Sequence, residues 1–311
     1  MVGLAPGVDM SILALWTAVA VVGFLVGCLV KAIRYATMPI HLRWELYPVA
    51  HEKGRARYGG SYFEELDWWT KPREVSHLGE VKVIAEEVLT LKAVRENNPT
   101  LWVPSLLFHY GLYALFALGA ALVAGAFSHL LGLHSLPIVH GGRALAALGG
   151  VGLTLGTAGA VLLLLRRSLD PRLRRSSTPA DFVHLVLLLA VFLASWGAWF
   201  TVDRGYTVAG DFLAGLVTLA PNPAQNGWVV AELVLLGLFL LYLPWSHMTH
   251  MFTKYFTWHS VRWEDTPNLA GSGIDARVAK LLMLPVSWSA PHIRGDGRKN
   301  WGDVVSEKGE V

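Results

Sequence analysis

The sequence predicts an all-α integral membrane protein with five transmembrane helices. Of its 311 residues, 53% are hydrophobic and only 16% are charged, and the mean hydropathy is +0.43. This composition is too apolar for an ordinary soluble domain. Five apolar runs each approach the length of about 20 residues that crosses a bilayer as a helix. These runs are residues 11–33, 103–132, 145–165, 182–202 and 228–250.

The basic residues orient these helices. Of the 26 Lys and Arg residues, eleven lie in residues 31–95, five in 166–175 and eight beyond 250, which leaves Arg143 and Arg204 on the opposite side. The positive-inside rule therefore predicts an N-terminus outside and a C-terminus in the cytoplasm. The basic residues behind the pI near 9.0 are therefore explained by membrane topology and by an anionic lipid surface. A nucleic-acid partner is not expected.

The rest of the chain is assigned by composition. Residues 1–10 carry no basic residue, which favours a retained first span over a cleavable signal. Residues 34–102 form a predicted cytoplasmic connection, and 251–311 a cytoplasmic tail.

Within the connection, residues 74–97 have helical amphipathic spacing, typical of a helix that lies along the membrane, under a partner or against its own subunit. Residues 208–220 are apolar but too short to span, so we expect them at the outer surface or over the bundle.

Cys28 is the single cysteine. An internal disulfide, a Cys-rich zinc site and a c-type haem attachment sequence are all excluded. An Fe–S cluster held by this chain is excluded for the same reason, so any such cluster belongs to a partner subunit.

The stretch 228–259 begins as an apolar helix and ends in polar chemistry. His247 and His250 lie at its end, and Pro244 is expected to kink the helix just before them. Imidazole is costly to hold among hydrocarbon groups, so histidines at this depth indicate a ligand or a functional role. His109, about two turns inside the second run, is the candidate partner.

Several other polar residues are candidates for a functional or a structural role. His184 enters the fourth run at a depth comparable with His109 and either lines a cofactor pocket, replaces a ligand or is structural. Glu232 either takes up a proton near the outer surface or is hydrogen-bonded to a neighbouring helix. A third group, predicted to lie in the outer interface, consists of His129, His134 and His140.

Two patterns indicate packing and membrane position. Glycines in the third run allow close approach of a neighbouring helix, and this explains them better than a cofactor role. They are Gly149, Gly150, Gly152, Gly156 and Gly159. Trp196, Trp199 and Phe200 near the outer end of the fourth run are typical of an interfacial aromatic belt.

Two stretches resemble the second and fifth helices of the gamma subunit of respiratory nitrate reductase, a five-helix membrane cytochrome b. They are residues 107–119, LFHYGLYALFALG, and 232–252, ELVLLGLFLLYLPWSHMTHMF. In that family, the second helix supplies two histidines ten residues apart and the fifth supplies two that are eighteen apart, and together they hold two stacked haems. His109 and His250 match one position of each pair, whereas Gly119 and Glu232 occupy the other two. The resemblance implies that one haem is lost as a unit and that the cytoplasmic one remains.

The flanking segments are similar to membrane cytochrome b subunits of sulfate reducers' redox complexes, which work beside a heterodisulfide-reductase-like Fe–S protein. They are residues 40–52 (IHLRWELYPVAHE), 59–69 (GGSYFEELDWW), 253–265 (TKYFTWHSVRWED) and 287–301 (SWSAPHIRGDGRKNW). This resemblance implies a cytoplasmic Fe–S partner subunit. The quinol site of the nitrate reductase subunit adjoins the haem that is missing here, so it is not carried over.

The resemblance implies one haem b, with His109 and His250 as axial ligands of the iron and with His184 and His247 as the alternatives. Two imidazoles leave the iron no open position, which suits electron transfer. We expect Gly111, with the small side chains of Ala114 and Ala117, to leave room for the macrocycle.

The leading hypothesis is a haem b subunit of a respiratory redox complex that relays electrons between the quinone pool, menaquinone or another quinone, and a cytoplasmic Fe–S subunit. The quinone region is expected either near Glu232 at the outer side or near His184 at the inner side. In this reading the chain is an electron-transfer subunit of a quinol-linked oxidoreductase. The alternative is a non-redox membrane anchor or transporter with structural histidines, although no convincing internal repeat supports transport.

Overall fold

The structure is a computed structural model that describes residues 10–38, 61–72, 76–133, 142–220, 226–259, 266–290 and 293–307. The prediction of an all-α membrane protein is confirmed, because five helices within these residues are long and apolar enough to cross a membrane. The predicted outer histidines His134 and His140 lie outside the described residues, as does the segment 40–52. The chain forms two compact units, Met1–Leu29 with Ile84–Thr249 and Val30–Val83 with His250–Val311.

The five membrane-crossing helices differ slightly in their bounds from the apolar runs. In chain order the α-helices are α1 (Met10–Ala36), α2 (His77–Thr90), α3 (Lys92–Asn97), α4 (Pro99–Leu130), α5 (Gly142–Leu169), α6 (Pro171–Ser176), α7 (Pro179–Thr201), α8 (Thr207–Val217), α9 (Gly227–Tyr242), α10 (His250–Lys254), α11 (Gly273–Leu282) and α12 (Trp301–Ser306). Those that can cross the membrane are α1, α4, α5, α7 and α9.

Helices α4 and α5 pack backbone against backbone through glycine. A Cβ atom on Gly111 would lie 2.2 Å from the backbone nitrogen of Gly156, and one on Gly159 would lie 2.3 Å from that of Phe108. Such close backbone contacts are possible only where one of the two helices has a glycine at the contact. The prediction that the glycines of the third run serve packing is confirmed at these positions. Phe108 belongs to a buried cluster that α5 and α7 complete with Leu153, Ala160, Leu163, Leu185, Leu188 and Phe192.

Helices α7 and α9 form the second close pair of the first unit. Gly197 of α7 accommodates the ring of Trp228, since a Cβ atom there would lie 2.3 Å from the indole carbon Cδ2. One helical turn inward, Ser195 of α7 donates its hydroxyl proton to Oε1 of Glu232 over 2.7 Å. Helix α1 completes this side of the bundle, because Trp16 packs against Gly237 of α9.

Helix α9 ends earlier than the apolar run 228–250 predicts. The α-helix stops at Tyr242 and is followed by two 3₁₀ turns, Leu243–Trp245 and His247–Thr249. The expected effect of Pro244 is thus present and stronger than a kink, because a proline ring cannot follow a regular helical turn without a clash. Ser246, between the two turns, has an extended backbone with φ −97° and ψ 168° and donates its hydroxyl proton to the carbonyl of Leu243.

The predicted amphipathic helix over 74–97 is divided in two. Leu91 has a left-handed backbone with φ 48°, so α2 ends at Thr90 and α3 begins at Lys92. Three side chains of α4 donate hydrogen bonds to the last carbonyls of α2. Trp102 donates to Thr90 over 2.7 Å, Tyr110 to Leu89 over 3.0 Å, and Tyr113 to Val88 over 3.0 Å. These bonds satisfy carbonyls that a helix end otherwise leaves unpaired.

The short helix α8 is the predicted non-spanning segment 208–220, and it lies beside α4. Asp203 is buried and starts this helix by accepting hydrogen bonds from the backbone N–H groups of Val208, over 3.0 Å, and Ala209, over 2.9 Å. Tyr206, with φ 58°, places its phenol against Gly149 of α5.

The second unit contains small elements rich in aromatic residues. Residues 61–72 hold two 3₁₀ turns, Tyr62–Glu64 and Trp68–Thr70, in which the rings of Phe63 and Trp68 lie 4.2 Å apart. Near the C-terminus, strands β1 (Ser289–Ala290) and β2 (Ile293–Arg294) pair antiparallel, with Ser289 opposite Arg294. Helix α10 continues into a π-helical turn, Tyr255–His259.

Candidate functional site

His109 lies in the second turn of α4 beyond Pro104, and its ring is partly buried. Nδ1 lies 2.7 Å from the backbone carbonyl oxygen of Ser105, one turn earlier. Because a carbonyl oxygen only accepts hydrogen bonds, Nδ1 carries the ring proton and Nε2 carries the lone pair. Histidines that bind metals commonly have this arrangement, in which a carbonyl fixes the tautomer and the orientation of the ring.

The space beside His109 differs from expectation at one position. Gly111 faces α5, and Gly156 fills the volume that its missing side chain leaves. The expectation that Gly111 makes room for a macrocycle was therefore wrong, because helix packing uses that space. Ala114 is partly buried and Ala117 is exposed. At Gly119, a Cβ atom would meet no atom within 4 Å among the described residues.

The histidines at the end of the fifth run fall in different units. His247 begins the second 3₁₀ turn of the first unit, and its side chain is 59% exposed. His250 is the first residue of α10 and belongs to the second unit, where it is also exposed. His129, predicted at the outer interface, lies exposed near the end of α4.

His184 is the most deeply buried of the candidate histidines, with 5% of its surface exposed. It lies in the second turn of α7, and Leu185 next to it belongs to the same buried cluster as Phe108, the neighbour of His109. The two histidines thus flank one cluster of the bundle core. Nε2 of His184 lies 2.8 Å from the hydroxyl of Tyr242, the last residue of α9. Nδ1 is buried and has no hydrogen-bond partner among the described residues.

A carboxylate and a second imidazole lie on the other side of His184. The rings of His184 and His247 are perpendicular, with centroids 4.3 Å apart, and Nε2 of His247 lies 3.5 Å from Oδ1 of Asp181. The other oxygen of Asp181 accepts hydrogen bonds from the backbone N–H and the hydroxyl of Thr178. This capping box fixes the carboxylate at the start of α7. The guanidinium of Arg167 lies 3.9 Å from Oδ1.

We call Asp181, His184 and His247 the inner cluster. Their ligand atoms all lie within 4.8 Å of one another. Two imidazoles and a carboxylate form a donor set typical of divalent transition metals, and the same groups are also the side chains that most often transfer protons near neutral pH. Because Tyr242 contacts His184, the cluster extends from the exposed ring of His247 to a phenol on α9.

An apolar groove lies between α7 and α9, and Tyr242 is in its wall. Its volume is about 530 Å³. Six other side chains line it: Phe182, Val183, Val186, Leu187, Ala190 and Leu238. The groove follows α7 along the face beside His184, over a length of about 12 Å at 1.5 Å per residue.

The opposite end of the same helix pair, predicted to be the outer one, holds the second predicted region. Glu232 accepts a hydrogen bond from Ser195 of the neighbouring helix α7. This contact agrees with the second of the two roles predicted for Glu232, a hydrogen bond to a neighbouring helix. Trp196 and Phe200, in the predicted aromatic belt, have stacked rings with centroids 5.0 Å apart. The guanidinium of Arg204 lies 4.7 Å from the centre of the Trp199 ring, a cation–π contact.

Sequence reasoning missed three members of the inner site: Asp181, Tyr242 and Arg167. Asp181 had a signal, because Thr178-Pro179-Ala180-Asp181 has the spacing of a helix capping box. The sequence signal for Tyr242 was weaker, because it consists only of a tyrosine near a proline in an otherwise apolar helix. Helical periodicity could not show that either side chain meets His184, since that depends on how α7 and α9 pack.

The comparisons with known proteins agree with this architecture. The nitrate reductase gamma subunit family matches residues 95–263, which include His109, the inner cluster and His250. The nitrate reductase gamma chain of Bacillus subtilis (strain 168) is 29% identical over 176 residues, which cover 49% of this chain and 74% of that protein.

The family is one of haem-containing cytochrome b subunits, and it indicates a membrane electron-transfer subunit of a respiratory complex with membrane-associated partner subunits. The five apolar helices and the family together indicate a multi-pass protein of the prokaryotic cytoplasmic membrane. With more than half of its residues matched, the chain belongs to the nitrate reductase gamma subunit family.

Proposed function

We propose that this chain is the haem b subunit of a respiratory redox complex and relays electrons between the quinone pool and a cytoplasmic Fe–S partner subunit. One observation carries the haem assignment: the carbonyl of Ser105 holds the proton of His109 on Nδ1, so that Nε2 has the lone pair that an iron ligand needs. His250 is proposed as the second axial ligand. A haem held by two imidazoles supplies a one-electron carrier with no site for oxygen.

One haem is proposed, not two. His109 and His250 keep one position of each histidine pair, and Gly119 and Glu232 replace the others. Glu232 supports this reading, since its carboxyl is tied to Ser195 of α7. His184 and His247 are the alternatives to the proposed ligands, and they already contact one another in the inner cluster.

The Fe–S partner is inferred from cysteine content and charge. A chain with Cys28 alone cannot hold a cluster. The basic residues concentrate in the segments predicted to face the cytoplasm, where a partner subunit would dock. The quinone, menaquinone or another, is the exchangeable partner on the membrane side.

A reduced-minus-oxidised spectrum of the purified chain tests this function directly. We expect b-type absorption with a haem content near one per chain. His109→Ala and His250→Ala should each abolish it, whereas His247→Ala should keep most of it. His129→Ala is the matched control, because His129 lies on the same helix as His109 but near its other end.

Three results would count against the proposal. No b-type spectrum in protein made with adequate haem would leave the non-redox alternative, a membrane anchor or transporter with structural histidines. Normal spectra from both His109→Ala and His250→Ala would reject the ligand assignment. A content near two haems per chain would contradict the single haem and implicate His184 or His129.

A further inference from the structure

We propose that the inner cluster, Asp181, His184 and His247, binds a divalent transition-metal ion of the Zn²⁺ class at a site separate from the haem. Such an ion needs neither the haem nor the quinone, so the site goes beyond the proposed function. His109 and His250 stay the proposed haem ligands, and the two other candidate histidines have a ligand of their own. Three features of the cluster support this site: the spacing of its donor atoms, the way each donor is held, and the side that is open to solvent.

The donor atoms of the inner cluster are close enough together for one ion to reach all of them. All three ligand atoms lie within 4.8 Å of one another, and Nε2 of His247 lies 3.5 Å from Oδ1 of Asp181. Zn²⁺ binds imidazole nitrogen and carboxylate oxygen at about 2.0–2.2 Å, which places two ligands of a tetrahedral site about 3.4 Å apart. The pair Asp181 and His247 already has this separation. The exposed side chain of His247 can shift to close the remaining distance to His184.

The burial of His184 leaves one imidazole nitrogen without a use inside the protein. Only 5% of the residue is exposed, and Nδ1 has no hydrogen-bond partner among the described residues. Nε2 lies 2.8 Å from the hydroxyl oxygen of Tyr242. With its proton on Nε2, the ring donates a hydrogen bond to that oxygen and keeps a lone pair on Nδ1. Metal-binding histidines commonly have one nitrogen held in this way by a group outside the ligand shell.

An ion pair between Asp181 and His247 alone would not explain the buried nitrogen of His184. A buried polar atom that forms no hydrogen bond costs free energy, and this cost remains if the cluster holds only its own charges. A cation bound to the Nδ1 lone pair of His184 removes it. The metal ion therefore accounts for all three side chains.

Asp181 is held through one carboxylate oxygen and presents the other to the cluster. Oδ2 accepts hydrogen bonds from the backbone N–H and the hydroxyl of Thr178, over 2.8 Å and 2.9 Å. Oδ1 has only longer contacts, 3.5 Å to His247 and 3.9 Å to Arg167. Because Thr178 fixes the carboxylate before an ion binds, little of the binding free energy is spent on ordering it.

Arg167 is the cation that faces the cluster. Its Nη1 donates a hydrogen bond to the hydroxyl of Ser177 over 2.9 Å, which is shorter than its 3.9 Å contact with Asp181. The guanidinium is therefore anchored beside the carboxylate and leaves Oδ1 able to bind an ion. Its positive charge repels a dication, so we expect weaker binding than in a fully enclosed structural zinc site.

The site is closed on one side and open on the other. His184 is buried, whereas the side chain of His247 is 59% exposed. Three protein ligands with water in the fourth position are a common coordination for Zn²⁺. All three residues belong to the first unit, so the ion would join the start of α7 to the turn that follows the break in α9.

Equilibrium dialysis of the full chain in phospholipid nanodiscs against micromolar free Zn²⁺ tests the site whether or not haem is present. We expect Asp181→Asn to lower the Zn²⁺ affinity by at least about tenfold, since even loss of a group outside the ligand shell costs about 10–100-fold. Asparagine can still cap α7, so this variant should fold. Asp170→Asn is the matched control. Asp170 also caps a helix and lies 3.7 Å from Arg166, but it is outside the cluster.

X-ray absorption at the zinc edge identifies the ligands without interference from haem iron. We expect nitrogen and oxygen ligands at about 2.0–2.2 Å, together with the outer-shell scattering of two imidazole rings. Tyr242→Phe should weaken Zn²⁺ binding by about tenfold and leave the number of imidazoles at two, because the hydroxyl orients His184 and does not touch the ion.

Two results would overturn the site. Equal Zn²⁺ affinity of the wild type and Asp181→Asn, or fewer than two imidazoles at the zinc edge, would place the ion elsewhere. Loss of b-type absorption from His247→Gln would assign that histidine to the haem, and both this site and the proposed ligand pair would then be rejected. If Zn²⁺ binds as expected but the wild type has no b-type absorption, the metal site stands and the proposed haem function fails.

Discussion

The hydroxyl of Tyr242 and Nε2 of His184, 2.8 Å apart, join the last turn of α9 to the second turn of α7. This contact lies where α9 stops ahead of Pro244, so the break in the fifth membrane helix and the buried histidine belong to one local structure. The inner cluster follows on the far side of the His184 ring.

We predict that Zn²⁺ binds to the inner cluster. Imidazole and carboxylate are preferred zinc ligands, and the three ligand atoms lie within 4.8 Å of one another. Isothermal titration should give one site per chain, and His247→Gln should weaken it at least tenfold. His129→Gln is the control for a histidine outside the cluster, and equal weakening by both variants would contradict this assignment.

We predict that Gly159→Ala destabilises the protein, whereas Gly119→Ala does not. A Cβ atom at Gly159 would lie 2.3 Å from the backbone nitrogen of Phe108, so α4 and α5 must separate, at a cost of about 1–3 kcal/mol. At Gly119 no described atom lies within 4 Å, and alanine favours a helix by up to about 1 kcal/mol. Thermal unfolding in detergent measures both, and equal melting temperatures for the two variants would be inconsistent with the close packing.

Asp203→Ala should loosen the start of α8. The buried carboxylate accepts hydrogen bonds from the N–H groups of Val208 and Ala209, and their loss leaves two donors unsatisfied, at a cost of about 1–3 kcal/mol. Hydrogen exchange at residues 208 and 209 should accelerate. Asp211→Ala, an exposed position on the same helix, serves as the control and should leave that exchange unchanged.

Tyr206 gives a prediction for alkaline pH. Burial raises the pKa of its phenol above the usual value of about 10, and the nearby carboxylates of Glu232 and Asp203 raise the pKa further. Because the folded state binds this proton more tightly than the unfolded state, its contribution to stability is complete below about pH 10 and is lost as the pH rises through the folded-state value. Melting temperatures of the wild type should therefore fall more steeply above pH 10 than those of Tyr206→Phe. Parallel curves for the two proteins would refute this.

Features that depend on one helix at a time could be predicted from the sequence. Hydropathy and length identified the five membrane-crossing helices, and the spacing of glycines such as Gly156 and Gly159 indicated close packing of the third. Pro244 likewise predicted a disturbance in the fifth run, and the length of the apolar run 208–220 predicted a segment too short to span the membrane. Each of these depends on local backbone geometry or on transfer of side chains into hydrocarbon.

Features that depend on two helices could not be predicted. The contact between Tyr242 and His184 is set by the rotation of α9 against α7, and the filling of Gly111 by Gly156 is set by that of α4 against α5. Leu91 also escaped prediction. Its left-handed backbone interrupts an amphipathic pattern that continues on both sides, and the side chains that stabilise the break come from α4.

The three hydrogen bonds that end α2 tie the helical turn around His109 to the amphipathic segment that precedes α4. Tyr110 and Tyr113 lie beside and one turn beyond His109, and both hold carbonyls of α2. A displacement of that amphipathic segment, for instance by a docking protein, is therefore transmitted as a pull on the helical turn that carries the imidazole. Under the proposed function, the docking of a partner subunit would therefore shift the proposed haem ligand His109 without changing which residues bind the iron.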